Sequence, residues 1–223
     1  MTRARSICWA LVRGSSENAG VVKDLLQSLL KRGIDGSVQR LFVIDGSKAI
    51  RSAIEQMYGE QGLVQRCRAH KVRNVTERLP EPMRAQTHSV MHAAYKLPEK
   101  EGIAKLKQHA KWLQQQYPDA AASLLEGLEE TFTVNRLKLT PALMRCWCTT
   151  NIIENPNGAV RRVTDRICRW RDHEMVLRWM ASAYLEAEKS FRRIQGYRDL
   201  WVLSTALGRV RSTSKVDLNT KAA

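Results

Sequence analysis

Four residues in this 223-residue chain have the types and settings from which chemistry can be built. Asp45 follows the apolar run Leu41-Phe42-Val43-Ile44 and precedes Gly46-Ser47. A carboxylate at the end of a buried strand can be a metal ligand or simply the turn between strand and helix, Asp-Gly being common turn chemistry. Cys67 and His70, three apart in QRCRAHKVRNV, pair a thiol with an imidazole. A structural zinc would need four ligands, usually as two close pairs. The nearest second pair, Cys146 and Cys148, has an unusual one-residue gap, and a buried thiol beside a hydrogen-bonded histidine explains the spacing better. Glu154, in TTNIIENPNG, is a carboxylate three residues after Asn151, the spacing of a capping box.

The elements that must position these residues alternate. An apolar run over residues 7–12, ended by Gly14 and Ser15, reads as a strand. From Asn18 the period becomes helical, with Val21, Val22, Leu25, Leu26, Leu29 and Leu30 on one face and Lys31, Arg32 and Gly33 closing it. Residues 41–44 form a continuous apolar run, the pattern of a strand covered on both faces. Ser47 then caps a helix carrying Ile50, Ala53, Ile54 and Met57, residues 63–67 make a third strand, and a basic helix covers 70–78. This alternation predicts an α/β layered fold, in which functional groups gather at the carboxyl ends of strands. Asp45 falls at such an end. After Pro80 and Pro82 only helices are expected up to about residue 140, and a further helix is expected over 172–189 with Val176, Met180, Ala183, Tyr184 and Ala187 inward. Beyond residue 207 the Ser, Thr and Lys content predicts a disordered tail.

Charge narrows the partners. Lys and Arg number 37 against 22 acids, a net charge of +15 with a pI near 10.0, and such an excess attracts polyanions, DNA or RNA above all. Arg73, Arg161, Arg162, Arg166, Arg169 and Arg171 are candidates for phosphate contact; a solvated arginine face is the competing reading. Trp147 and Trp170 either stack on exposed bases or pack in the core. The cysteines (Cys8, Cys67, Cys146, Cys148 and Cys168) are odd in number and contain no C-x-x-C pair, which points to free thiols in a reducing cytoplasm. No apolar run has the length of a membrane span, and the first one is too short for a signal peptide. A cytoplasmic, nucleoid-associated protein with no membrane partner is expected.

Five segments, taken in order, carry a resemblance: GSSENAGVVKDLLQSLLKRG, VIDGSKAIRSAI, QRCRAHKVRNV, TTNIIEN and RWRDHEMVLRWMASA. In this combination the chain resembles the Mutator-like family of bacterial insertion-sequence transposases, over about residues 16–207. The resemblance implies a ribonuclease H-like catalytic domain in which three acids, Asp, Asp and Glu, bind two Mg²⁺ ions. Asp45 would be the second acid and Glu154 the third, both catalytic and metal-binding, with Cys67 and His70 matching a C-x-x-H motif beside the active site or DNA. The implied layout is a partial ribonuclease H-like core over 1–80 and a helical insertion over 81–145. The core would return over 146–195, and a C-terminal segment with a disordered tail would cover 196–223. The implied partners are DNA, as element ends and target, and a second copy or a full-length transposase.

Two departures from the family pattern shape the expectation. The first acid belongs on a strand upstream of residues 7–12, whereas the first acidic residues here are Glu17 and Asp24, the latter inside an amphipathic helix. The expectation is therefore a truncated copy that does not cleave DNA alone; the alternative is a non-catalytic DNA-binding or regulatory fragment. In addition, Asn155-Pro156 reads as an N-cap with proline at the first helical position, which would leave Glu154 before the helix rather than on it.

Overall fold

A computed structural model describes residues 10–11 and 18–209. The strand expected over residues 7–12 lies outside the described residues except for Ala10 and Leu11, and the expected tail lies outside them beyond residue 209. Helix α1 (Ala19–Lys31) starts where Asn18 accepts the Val21 N–H on its side chain, at 3.0 Å. Strand β1 (Arg40–Ile44) leads through Ser47, whose hydroxyl caps the Ile50 N–H, into α2 (Lys48–Tyr58) and back to strand β2 (Gly62–Arg66). The two strands pair in parallel, Arg40 opposite Gly62 through Ile44 opposite Arg66, and α2 is the crossover that parallel pairing demands. Leu26, Ile44, Ala53, Ile54, Tyr58 and Val64 close the core of this unit. Apart from Ile44, β1 is half-buried rather than covered on both faces. Among the described residues it has a strand neighbour on one edge only.

Helices dominate the rest. Helices α3 (Arg68–Thr76), α4 (Glu81–Tyr95), α5 (Glu99–Leu113) and α6 (Pro118–Leu125) share a second core through Val75, Met91, Leu106, Leu113, Leu124 and Phe132. Proline stands in the first turn of both α4 and α6, where its missing N–H costs nothing. A 3₁₀ turn (Glu129–Phe132), α7 (Thr133–Arg136) and α8 (Pro141–Trp147) follow. A third apolar cluster joins Val134, Leu139 and Leu143 to Leu41 of β1 and to Leu200 and Leu203 of α11 (Leu200–Ala206). Helices α9 (Asn151–Thr164) and α10 (His173–Lys189) pack together, with Val160, Ala183 and Ala187 buried and the Tyr184 hydroxyl donating to Asn157 Oδ1 at 2.5 Å. The described residues are thus helix-rich with a small two-stranded parallel sheet, consistent with the α/β class. Trp147 packs into the third cluster, while Trp170 is 41% exposed.

One expectation is corrected. Asn155 is not an N-cap, and Pro156 is not at the start of a helix. Helix α9 begins at Asn151, so Glu154 lies in its first turn and Pro156 lies inside it. Proline there removes the ladder bond to the Ile152 carbonyl. The contacts that hold the first turn, described below, outweigh that loss.

Gly102 of α5 shows how tightly the helical core is filled. A Cβ at this position would sit 2.3 Å from Phe132 Cε1 and 2.7 Å from the Ala94 carbonyl oxygen. Alanine gains about 1 kcal/mol of helix propensity over glycine, but overpacking against a fully buried ring and a backbone oxygen typically costs about 1–3 kcal/mol. Gly102→Ala is expected to lower the urea midpoint, and an unchanged or raised midpoint would show that the Phe132 ring swings aside freely.

Candidate active site

The two strands deliver their last residues side by side. The Cys67 N–H donates to the Ile44 carbonyl at 2.7 Å, so Asp45 and Cys67 leave adjacent strand ends. Asp45 is exposed, and its Oδ1 accepts the Ser47 N–H at 2.9 Å across a turn in which Gly46 has φ +115°. Cys67 is fully buried just before α3, and His70, one turn on, brings Nδ1 to 3.2 Å from its Sγ. Onto this pair comes Thr150, the residue before α9. Its N–H donates to Cys67 Sγ at 3.4 Å, and its hydroxyl lies 3.3 Å from the same sulfur and 3.3 Å from His70 Nδ1. The same hydroxyl donates to Glu154 Oε1, which stands 3.8 Å from His70 Nδ1. A hydroxyl has one proton and two lone pairs, and an ionised carboxylate is the strongest acceptor within its reach. The Thr150 hydroxyl proton therefore points to Glu154, with Cys67 Sγ as its second acceptor, and His70 Nδ1 completes the cluster. Cys67, His70, Thr150 and Glu154 form one contiguous cluster at the carboxyl end of β2.

The rest of QRCRAHK turns the other way. Gln65, fully buried, donates to the Thr131 carbonyl at 3.0 Å and accepts the Val134 N–H at 3.0 Å. Arg66 reaches two segments at once, the Gly46 carbonyl at 3.0 Å and the Glu126 carbonyl at 2.9 Å, and pairs with the Glu126 carboxylate at 3.4 Å. Arg68 donates to the Thr131 carbonyl at 2.9 Å and to Asn135, with its guanidinium 4.5 Å from the Tyr95 ring centroid. Lys71 Nζ donates to the carbonyls of Ser123 at 2.7 Å and Glu126 at 2.6 Å. It thereby places a cation on the C-terminal carbonyls of α6, the favourable end for positive charge. These four side chains clamp the helical segment to the strand ends, and Arg66 fastens that clamp to the Asp45 turn. Burial, with Arg66 nearby, pushes the Lys71 ammonium down to about 8. Burial alone would raise the Glu126 carboxyl, but Arg66 and Lys71 outweigh it and hold it below its ordinary value.

Sequence reasoning singled out Cys67 and His70 in this motif and missed Thr150, Gln65, Arg66, Arg68 and Lys71. Arg73, Arg161, Arg162, Arg166, Arg169 and Arg171 are all exposed. The first of these lies on α3, the next two on α9, and the last three on the connection to α10. Among the described residues no three His, Cys, Asp or Glu side chains converge in a group that could hold a metal ion, so Cys146 and Cys148 do not complete a zinc site with Cys67 and His70. No described helix is long and apolar enough to cross a membrane.

The family model for the Mutator family of transposases matches residues 5–193 of the 223. The chain belongs to that family. No curated protein sequence matches it at the level taken to mark a relative.

The buried Lys71 makes a pH dependence whose sign is fixed. Folded, it loses its proton near pH 8; unfolded, near 10.5. Between those values the unfolded state binds more protons, so the Lys71 contribution to stability rises with pH. The stability of the native chain relative to Lys71→Met is expected to climb from pH 8 to pH 10 in parallel urea titrations. Curves that stay parallel over that window would show that burial does not depress the Lys71 ammonium.

Proposed function

We propose that the chain serves DNA transposition by DDE-type, metal-dependent strand cleavage and transfer, with Asp45 and Glu154 as two of the three metal-binding acids of a ribonuclease H-like core. One observation carries this reading. Thr150 bonds both Cys67 and Glu154, and so brings the α9 carboxylate to the strand end next to the one that Asp45 leaves. The donors suit the ion. Mg²⁺ prefers oxygen ligands and is commonly held through one or two carboxylates, waters and substrate phosphates. Asp45 offers an exposed carboxylate with one oxygen engaged by Ser47, and Glu154 one with an oxygen engaged by Thr150. Two such cations supply the charge that stabilises the attacking and leaving oxygens of an in-line phosphoryl displacement.

The protein's own part is positioning. Thr150 holds one oxygen of Glu154, with His70 Nδ1 3.8 Å from it, while the Ser47 N–H holds the Asp45 carboxylate against its own turn. Arg73, Arg161, Arg162, Arg166, Arg169 and Arg171 neutralise DNA phosphates, each contact releasing counterions and steepening the dependence on salt. A DDE site uses three acids, of which Asp45 and Glu154 would be two, and the alternative reading is a non-catalytic DNA-binding or regulatory role for the chain acting alone. Cleavage then requires a carboxylate beyond these two.

The purified chain is expected to bind duplex DNA with an affinity that falls by a log–log slope of about 0.9 for each phosphate neutralised. It should leave the strands uncut and bind Mn²⁺, detected by electron paramagnetic resonance, in a way that Asp45→Asn and Glu154→Gln each weaken. Equal Mn²⁺ binding in both variants would remove the two residues from the metal site. Strand cleavage by this chain alone would overturn the two-acid reading.

A further inference from the structure

Helix α9 has a second working face. At 100° per residue, Thr150 and Glu154 project toward Cys67, whereas Ile152, Asn155, Ala159 and Arg162 project away from it and line a cleft of about 560 Å³. The opposite wall is Arg145 of α8 together with Phe191, Arg192, Arg193 and Gln195, which follow α10. Four arginines therefore border one concavity, and no aspartate or glutamate lines it. None of the four forms an ion pair among the described residues. Arg193 is steadied instead by Tyr197, with its guanidinium 5.2 Å from the ring centroid. Like charges gathered in a concave surface focus a positive potential, and guanidinium forks match phosphate oxygens in geometry as well as charge.

We propose that this cleft binds single-stranded DNA, seating one nucleotide of the strand whose neighbouring phosphate reaches the Glu154 face of the same helix. The arginines take the flanking phosphates. Phe191 offers an aromatic face to the base, and Asn155 and Gln195 offer amide donors and acceptors to its edge. The volume is that of a small-ligand pocket, suited to one unstacked nucleotide and not to the convex backbone of an intact duplex. The two faces of α9 lie one helix diameter apart, about 10–12 Å with side chains, so a frayed or cut strand end crossing the helix engages both. This inference rests on the DNA-binding part of the function proposed above.

The test compares a blunt duplex with the same duplex carrying a short single-stranded overhang that contains 2-aminopurine, using the full chain. Binding is followed by anisotropy and stacking by the quenching of 2-aminopurine fluorescence. The overhang is expected to bind about tenfold more tightly than the blunt duplex. In the double variant Arg145→Gln/Arg192→Gln that preference should vanish while blunt-duplex affinity persists, which also shows that the variant is folded; both residues are exposed. The salt slope for the overhang should fall by about 0.7 for each contact removed, and Phe191→Leu should abolish the quench. Equal binding of blunt and overhang DNA by the native chain, or a preference that survives in the double variant, would overturn the cleft assignment and leave the proposed function standing. Failure of the native chain to bind either DNA would overturn both.

Discussion

Gln65, Arg66, Arg68 and Lys71 set a constraint on which both the helical segment and the candidate site depend: four large polar side chains, buried within a span of seven residues, must all find partners. Taking charges out of water costs several kcal/mol per ion unless good geometry and further hydrogen bonds compensate. Here the compensation is supplied by backbone carbonyls of residues 123–131, the stretch that ends α6 and leads into the 3₁₀ turn. Apolar packing in the second core draws the helices together without direction. The polar strip adds direction, because each carbonyl must meet a particular N–H within hydrogen-bond distance. Arg66 extends that requirement to the Gly46 carbonyl, so the turn that presents Asp45 is held by the same side chain that holds the helical segment. Gly127 follows from this: its φ is +58°, and a Cβ there would lie 2.2 Å from Arg66 Nη1.

The other side of the same motif is organised by a single hydroxyl. Thr150 sits among a sulfur, an imidazole nitrogen and a carboxylate oxygen, with one proton to give. Directing it to Glu154, with Cys67 Sγ as the second acceptor, ties the carboxylate and the sulfur to one residue. That arrangement also explains why α9 starts at Asn151 despite Pro156. Its first turn is tied at Thr150 to a fully buried thiol on a different element, while Val160 is buried further along, so the helix is held on both sides of the proline. One missing ladder bond is small beside those anchors.

The β1–α2–β2 unit was legible because local chemistry and tertiary structure agree there. Asn18 and Ser47 cap as their types suggest, and the apolar run before Asp45 is a strand. The start of α9 was misread because Asn155-Pro156 is a strong local signal, and the contact that overrides it joins residues 83 apart in sequence. Thr150 was invisible for the same reason. The basic residues of QRCRAHK failed in a different way: composition counts every arginine and lysine as surface charge, and nothing in the spacing separates a buried Arg66 or Lys71 from an exposed Arg73. Arg145 and Arg192 gave no pattern either, since they meet only when α9 and α10 fold back on each other.

Those burials change what the net charge of +15 means. Arg66, Arg68 and Lys71 are committed to carbonyls and an aromatic ring inside the protein and are withdrawn from any polyanion. The free positive charge is correspondingly concentrated elsewhere, on the exposed arginines from Arg161 to Arg171 and around the cleft behind α9. Helix α9 thus joins three kinds of contact within fourteen residues: a carboxylate turned to the strand ends, an apolar residue turned to α10, and an arginine turned to the cleft. In this fold the placement of the acid and the charge behind it are properties of one element.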